Sequence, residues 1–378
     1  MKMRYCGRCL NVSTRPNIVF SDDGLCYPCS TYRNDDEIDY EERRIKLTEI
    51  ITYAKQNNKT GYDCIVGVSG GKDSTRQAMH IKDSFGLHPL LVSMNYPPDQ
   101  ISQRGADNLS NLIAQGFDCI NISCSPGVWK NAMRHAFTNY GNWAKSTEFA
   151  LFASVPRVAV AYQIPLIWWG ESPASMLGDM GTLGAHPGDG NRLKYSNTLG
   201  GGNIEWLLDA GFKINQILQY IYPSDEEMER ANIKIVFMDY FMKDFTARTN
   251  GDYAALRGLS VRETDPNNDP DYFGTSMLDE DFININMHIR YLKFGFGRTS
   301  DIVNQEIRSG RMSRERGIEL VKRFDGNYSA SLVTAFCLYL GISLNEFWTV
   351  VDRFVNKNLF EKKCLGTYIP KFDVGRGI

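Results

Sequence analysis

The chain has 378 residues, 43% apolar and 23% charged, with a formal net charge of −2 and a pI near 6.3. That balance suits a globular protein with a sizeable core and room for two domains, and it gives no sign of a polyanion-binding surface. The opening residues Met1-Lys2-Met3-Arg4-Tyr5-Cys6 hold no apolar run, and apolar stretches such as 164–169 are too short for a bilayer, so a cytoplasmic, reducing setting is expected.

Nine cysteines in such a setting read as metal ligands, buried thiols or catalysts rather than disulfides. Residues 1–33 lack a helical period and carry four of them as Cys6-x-x-Cys9 and Cys26-x-x-Cys29, sixteen residues apart. This is the spacing of a four-cysteine zinc module. Four thiolates fill the tetrahedral sphere and leave no place for water, so a structural Zn²⁺ is expected. Gly7 is expected to permit a tight knuckle that turns amide donors toward sulfur. Cys64 and Cys119 fall in predicted buried strands and Cys337 in an apolar helix, where a thiol is a small hydrophobe. Cys364 carries no signal, and Cys124 lies just past a strand, where it is placed to face a site.

Residues 34–44 are dense in charge, and Leu47, Ile50, Ile51 and Ala54 then follow the i, i+3, i+4, i+7 spacing of an amphipathic helix. Residues 34–60 therefore read as a connecting helix. Next come strand 64–68, helix 74–85, strand 89–94, helix 102–115, strand 119–122, helices 129–140 and 148–162, and strand 165–169. Strands apolar on both faces, alternating with helices, predict an α/β domain over 61–241 with a parallel, doubly wound sheet.

Residues 170–202 hold nine of the 33 glycines and show no period. Trp168, Trp169, Leu183, Leu193 and Tyr195 are too apolar for free coil, so an ordered loop at a strand's C-terminal end is expected, where such sheets place their sites. Glu171 is the candidate acid there. Ser224-x-x-Glu227 reads as a capping box and 234–238 as a fifth strand. Over 242–378 helices dominate: Ser313 opens one, Gly341 ends another, and Ser343-x-x-Glu346 caps the next.

Between the first strand and its helix runs Ser69-Gly70-Gly71-Lys72-Asp73-Ser74. It is not the common P-loop, which needs four residues between its first glycine and the Gly-Lys pair. The chemistry still suits phosphate, through glycines that let N–H groups converge, a helix N-terminus, two hydroxyls and a lysine. All six residues, in this position, match the pyrophosphate loop of the N-type ATP pyrophosphatase (PP-loop) superfamily, which the segment resembles. In that superfamily the loop holds the β- and γ-phosphates while the α-phosphate is attacked, leaving AMP and pyrophosphate. The resemblance implies ATP and Mg²⁺ as ligands, Ser69, Gly70, Gly71, Lys72, Asp73 and Ser74 as the ATP loop, and Lys72 and Asp73 as catalytic. By analogy of fold it places Asn95, at the end of the second strand, near the adenosine.

A longer series recurs in one group: the N-terminal cysteines, this loop, Trp168-Trp169-Gly170-Glu171, Leu193-Lys194-Tyr195, and Phe294-Gly295-Phe296-Gly297-Arg298 with Ser300-Asp301. Over nearly its whole length the chain resembles the N-acetyl sugar amidotransferases of bacterial surface-polysaccharide and nonulosonic-acid pathways. This implies conversion of an acetamido to an acetamidino group on a nucleotide-linked sugar. Glu171 would join Lys72 and Asp73 in catalysis, and Trp169, Lys194, Tyr195 and Arg298 would contact substrate. Ammonia would come from a glutaminase and a barrel protein similar to the two halves of imidazole glycerol phosphate synthase. Two rival readings are a tRNA thiolase or other nucleobase modifier, which calls for a basic aromatic surface and a catalytic thiol, and a non-catalytic nucleotide- or zinc-binding scaffold. Neither a nucleic-acid partner nor a membrane span is expected.

Overall fold

Side-chain alternation decides the architecture. In the computed structural model, which describes residues 2–34, 37–263, 265 and 268–377, five strands form one parallel sheet in the order β3-β2-β1-β4-β5. They are β1 (Cys64–Gly67), β2 (Pro89–Asn95), β3 (Cys119–Ser123), β4 (Leu166–Trp169) and β5 (Lys234–Phe237). Asp35 and Asp36 of the charged run lie outside the described residues.

Ile65, Ile167 and Ile235 point to one face of the sheet, against Val155, Val158 and Ala159. Val66, Trp168 and Val236 point to the other, against Ala54, Ala78, Ile81 and Leu112. Each such burial contributes roughly 1.5–3 kcal/mol for a Val- or Leu-sized side chain. The helices that supply these residues are α2 (Tyr40–Gln56), α3 (Lys72–Asp83) and α4 (Gln103–Ala114) on the second face and α6 (Ala144–Tyr162) on the first, following α1 (Tyr27–Ser30) near the N-terminus and α5 (Pro126–Tyr140) beside α6. The doubly wound parallel sheet is thus as expected. β3 is the exception to strands buried on both faces. As an edge strand it has half-buried and exposed positions throughout, and Cys119 is only half-buried.

The glycine-rich stretch after β4 is ordered. It contains α7 (Pro173–Leu177) and short 3₁₀ turns, then lies along the β5 edge, where Gly190 N–H donates to Ile235 O at 2.8 Å and Phe237 N–H to Gly188 O at 3.0 Å. A Cβ at Gly188 would fall 2.6 Å from the Tyr240 ring, so only glycine lets the loop cover this edge. Next come α8 (Glu205–Leu208), then α9 (Asp225–Arg230), which opens with the predicted Ser224–Glu227 capping box, and α10 (Met238–Phe241), directly after β5.

The rest is largely helical: α11 (Ala247–Ala255), α12 (Ile283–Phe294), α13 (Arg298–Arg308), α14 (Arg314–Phe324), α15 (Ala330–Leu340) and α16 (Leu344–Phe354). Ser313, Gly341 and the Ser343–Glu346 box cap as read from the sequence. An antiparallel hairpin, β6 (Phe360–Cys364) with β7 (Thr367–Pro370), follows and was not foreseen. α11 packs on α3, and α12, α15 and α16 share a core with α5 around Phe137, Phe336 and Phe347. The cysteine module sits on α13 and α14, with Leu10 buried among Val303, Ile307, Leu320 and Phe324. No single helix among the described residues is long and apolar enough to cross a membrane.

Candidate active site

Strand order reverses between β1 and β4, and there the C-terminal strand ends splay into a crevice. The loop after β1 and the corner after β4 line its two sides. Gly70 has φ of +79°, and a Cβ on it would lie 2.5 Å from the Leu109 backbone nitrogen, so this position requires glycine. Gly71 is the N-cap of α3 without a side-chain cap, leaving first-turn N–H groups free to meet an anion.

Ser69, Gly71, Lys72, Asp73 and Ser74 line a cavity of about 310 Å³, with Trp169 and Glu171 opposite. Gly70 shapes the turn from behind. Lys72 is only 4% exposed, and its Nζ meets Asp73 Oδ2 at 2.5 Å. Asp73 Oδ1 accepts from Asn250 Nδ2 at 2.8 Å, and Asn250 Oδ1 accepts from Arg76 at 3.0 Å. Arg76 is anchored in turn on Asp244 at 2.8 Å. Ser74 Oγ donates back to Gly71 O at 3.1 Å.

Burial and the nearby Asp73 charge push the Glu171 carboxyl up to about 7, against the pull of Lys72, Arg298 and a Gln305 hydrogen bond. Asp239, just past β5, is likewise pushed up to about 7, chiefly by burial. Its Oδ2 accepts from Ser172 N–H at 3.0 Å, and Oδ1 has no partner among the described residues. An acid that titrates near neutrality beside a phosphate loop is suited to proton transfer.

Other candidates lie elsewhere. Lys194 Nζ pairs with Asp225 at 2.5 Å and Tyr195 OH donates to the same carboxylate at 3.2 Å, which turns both toward α9 and away from the cavity wall. Asn95 accepts from Ser93 Oγ at 2.8 Å; the cavity is lined by Val92 and Met94 of that strand instead. Arg298 donates to Ser276 Oγ at 2.7 Å and, with Arg15 and Arg290, surrounds the buried Asp301 carboxylate. It does not line the cavity, although its charge pulls on Glu171. Trp168 belongs to the core, 5.5 Å from Phe85 and 5.8 Å from Phe241. Asn250, Asp239 and Gln305 were missed. For Asp239 a signal existed, since it follows a strand end as Glu171 does. Asn250 comes from a helix far along the chain, with nothing local to mark it.

The Sγ atoms of Cys6, Cys9, Cys26 and Cys29 all lie within 4.8 Å of one another, with Cys9 and Cys26 at 3.7 Å. A tetrahedral ion with Zn–S near 2.3 Å has S–S edges of about 3.8 Å, so the four fit one metal ion. Amide donors reach sulfur from Asn11 to Cys9 and from Cys26 to Cys6, both at 3.3 Å. Gly7 is not left-handed, and its own N–H donates to Gly24 O at 3.1 Å.

Fold and site together define an α/β protein with a parallel, doubly wound sheet and a glycine-rich strand-to-helix loop lining a cavity at its switch point. More particularly, residues 271–372 match the family model "LPS biosynthesis protein WbpG-like, C-terminal domain". This bears out the resemblance to a surface-polysaccharide biosynthesis family. Two similar solved structures are the NH3-dependent NAD synthetase from Campylobacter jejuni and NMN synthetase from Francisella tularensis. The first has 12% identity and a TM-score of 0.30, over 60% of this chain and all of that one. The second has 13% identity and a TM-score of 0.35, over 82% and 96%. Both likenesses are too slight to bear on this chain's chemistry. No curated protein matches the chain.

Proposed function

We propose that the protein is an ATP-dependent, AMP- and pyrophosphate-forming amidotransferase that converts an acetamido group of an N-acetylated sugar to an acetamidino group. The reading is carried by the joining, in one chain, of the Lys72–Asp73–Glu171 cavity to a lipopolysaccharide-biosynthesis domain.

An amide carbon is a weak electrophile because its nitrogen donates into the carbonyl. Attack of the carbonyl oxygen on the α-phosphorus of ATP breaks the bond to pyrophosphate and gives an O-adenylyl imidate. Ammonia adds to the activated carbon, the carbon–oxygen bond to AMP breaks, and the adding nitrogen gives a proton to a base, leaving the amidine. Lys72 and the first-turn N–H groups of α3 stabilise charge on departing pyrophosphate. Glu171 is the base. The Asp73 carboxylate, about a third exposed at 32%, suits a Mg²⁺ shared with the phosphates, where the ion would neutralise phosphate charge. Trp169 offers a flat apolar wall to sugar or adenine. The four thiols of Cys6, Cys9, Cys26 and Cys29 would hold a structural zinc, whose binding energy would be folding energy.

The pathway is lipopolysaccharide O-antigen or nonulosonic-acid synthesis in the cytoplasm, on a nucleotide-linked sugar, with ammonia from a partner glutaminase and its barrel protein. The test is mass spectrometry of candidate N-acetyl sugars incubated with protein, ATP, Mg²⁺ and ammonium. The expected product has one oxygen replaced by NH and appears with stoichiometric AMP and pyrophosphate. ADP and phosphate in their place would overturn the reading.

A further inference from the structure

Behind the corner that follows β4 lies a second cavity, of about 440 Å³. Gly170 and Glu171 face the phosphate-loop cavity, whereas Ser175 and Met176 face this one, so the two share a thin wall. Gln305 lines the second cavity, where its Nε2 donates to Met176 Sδ at 3.7 Å.

The second cavity holds positive charge that the protein leaves unneutralised. Arg308 is 3% exposed. One Nη donates to Met176 O at 2.8 Å, the other has no partner, and no carboxylate among the described residues pairs with it. A buried guanidinium without a counter-ion is costly, and the cavity is the place from which a counter-ion can reach it. Arg43, from α2, lies 4.2 Å over the Tyr240 ring, donates to Tyr240 O at 2.7 Å and makes no ion pair among the described residues, although its charge acts on Asp239. The nearby acids do not cancel these charges. Asp244 is taken by Arg76 and Glu306 by Arg311, and Asp239 is held part-protonated near neutrality by burial.

We propose that this cavity is a subsite for an oxyanion, either a phosphate of a nucleotide carrier or the carboxylate of a sugar acid, held by Arg308 and Arg43. This rests on the sugar-amidotransferase reading above. Two arginines from different elements, one of them buried, match the planar, multidentate demand of such a group.

The test measures binding without turnover. With the phosphate loop saturated by Mg²⁺ and α,β-methylene-ATP, wild-type protein is titrated calorimetrically with nucleoside diphosphates and, separately, with glucuronate. At least one should bind, and which one does identifies the source of the oxyanion. Arg308→Gln and Arg43→Gln should each weaken that binding about tenfold or more, while leaving affinity for the ATP analogue within about twofold. If Arg308→Gln does not fold, the half-buried Arg43→Gln decides alone. No binding by either anion, binding indifferent to the substitutions, or an equal loss of ATP-analogue affinity would overturn the proposal. AMP formation measured in parallel separates failure of the subsite from failure of the enzymatic reading.

Discussion

Asp73 is held at both oxygens, by Lys72 and by Asn250, and loss of the carboxylate should differ from loss of its Asn250 support. Asp73→Ala is expected to abolish ATP-dependent pyrophosphate release with circular dichroism and melting little changed, because the side chain is partly exposed and outside the core. Asn250→Ala should instead cost about 1–3 kcal/mol of stability, since it removes a buried hydrogen bond from the Arg76 Nη that then keeps only Asp244 O, and should slow turnover without ending it. Equal effects of the two substitutions on stability would count against this division of roles. Glu171 gives a sharper signature. Its carboxyl is pushed up to about 7, so the base form gains population as pH rises through neutrality. Turnover should climb over the same interval. Glu171→Gln should remove that limb and lower kcat by roughly 10²–10⁴-fold. An unchanged limb in the variant would show that another group, with Asp239 the first suspect, is the base.

Every strand of the parallel sheet was legible, because buried strands write their apolar runs locally and their boundaries moved by only a residue or so. The glycine-rich turn of residues 69–74 between β1 and α3 was legible too, its residues being contiguous. What escaped was whatever depends on partners distant in sequence. The hairpin β6–β7 carries Glu361, Lys362 and Lys363 on exposed positions, so it shows no apolar alternation, and Gly366 in its turn was the sole hint. Lys194 and Tyr195 were expected at the substrate from the family resemblance alone, and in the structure both are bonded to Asp225 of α9. The cysteine pairs were plain from spacing, but not their seat on α13 and α14. That seat has a consequence. Cys6→Ser or Cys29→Ser should lose about one zinc per chain on elemental analysis and should also lower the melting temperature of the whole protein, because the module's packing against Val303 and Phe324 depends on its fold. Full metal content in a Cys6→Ser/Cys9→Ser double variant would rule out the four-cysteine site.

At the scale of the molecule, the question is where the nitrogen comes from. Making ammonia from glutamine takes a nucleophilic thiol, activated by a histidine or by an N-terminal amine. Among the described residues no cysteine lines either the phosphate-loop cavity or the arginine-bearing one. Cys124, the thiol that sequence placed nearest a site, is buried against Tyr220, and burial pushes it up to about 12. Cys119 and Cys337 are pushed up to about 11 by the same dehydration, and a thiol in that range is protonated and inert at neutral pH. The buried His288 is no better placed as an activating base, since its Nδ1 is hydrogen-bonded to Gly326 O at 2.8 Å and its ring is packed beside Tyr328. Free ammonia is scarce near neutrality because ammonium predominates, so for the proposed reaction a glutaminase partner would make it and deliver it. The isolated chain is therefore expected to form amidine and AMP with high ammonium salt and not with glutamine. Its rate at fixed total ammonium should rise with pH as the free base grows. Adding a glutaminase and its barrel partner should restore glutamine use at neutral pH, read as glutamate released in step with AMP. Glutamine-dependent turnover by this chain alone would reveal a glutaminase thiol that these buried cysteines do not provide.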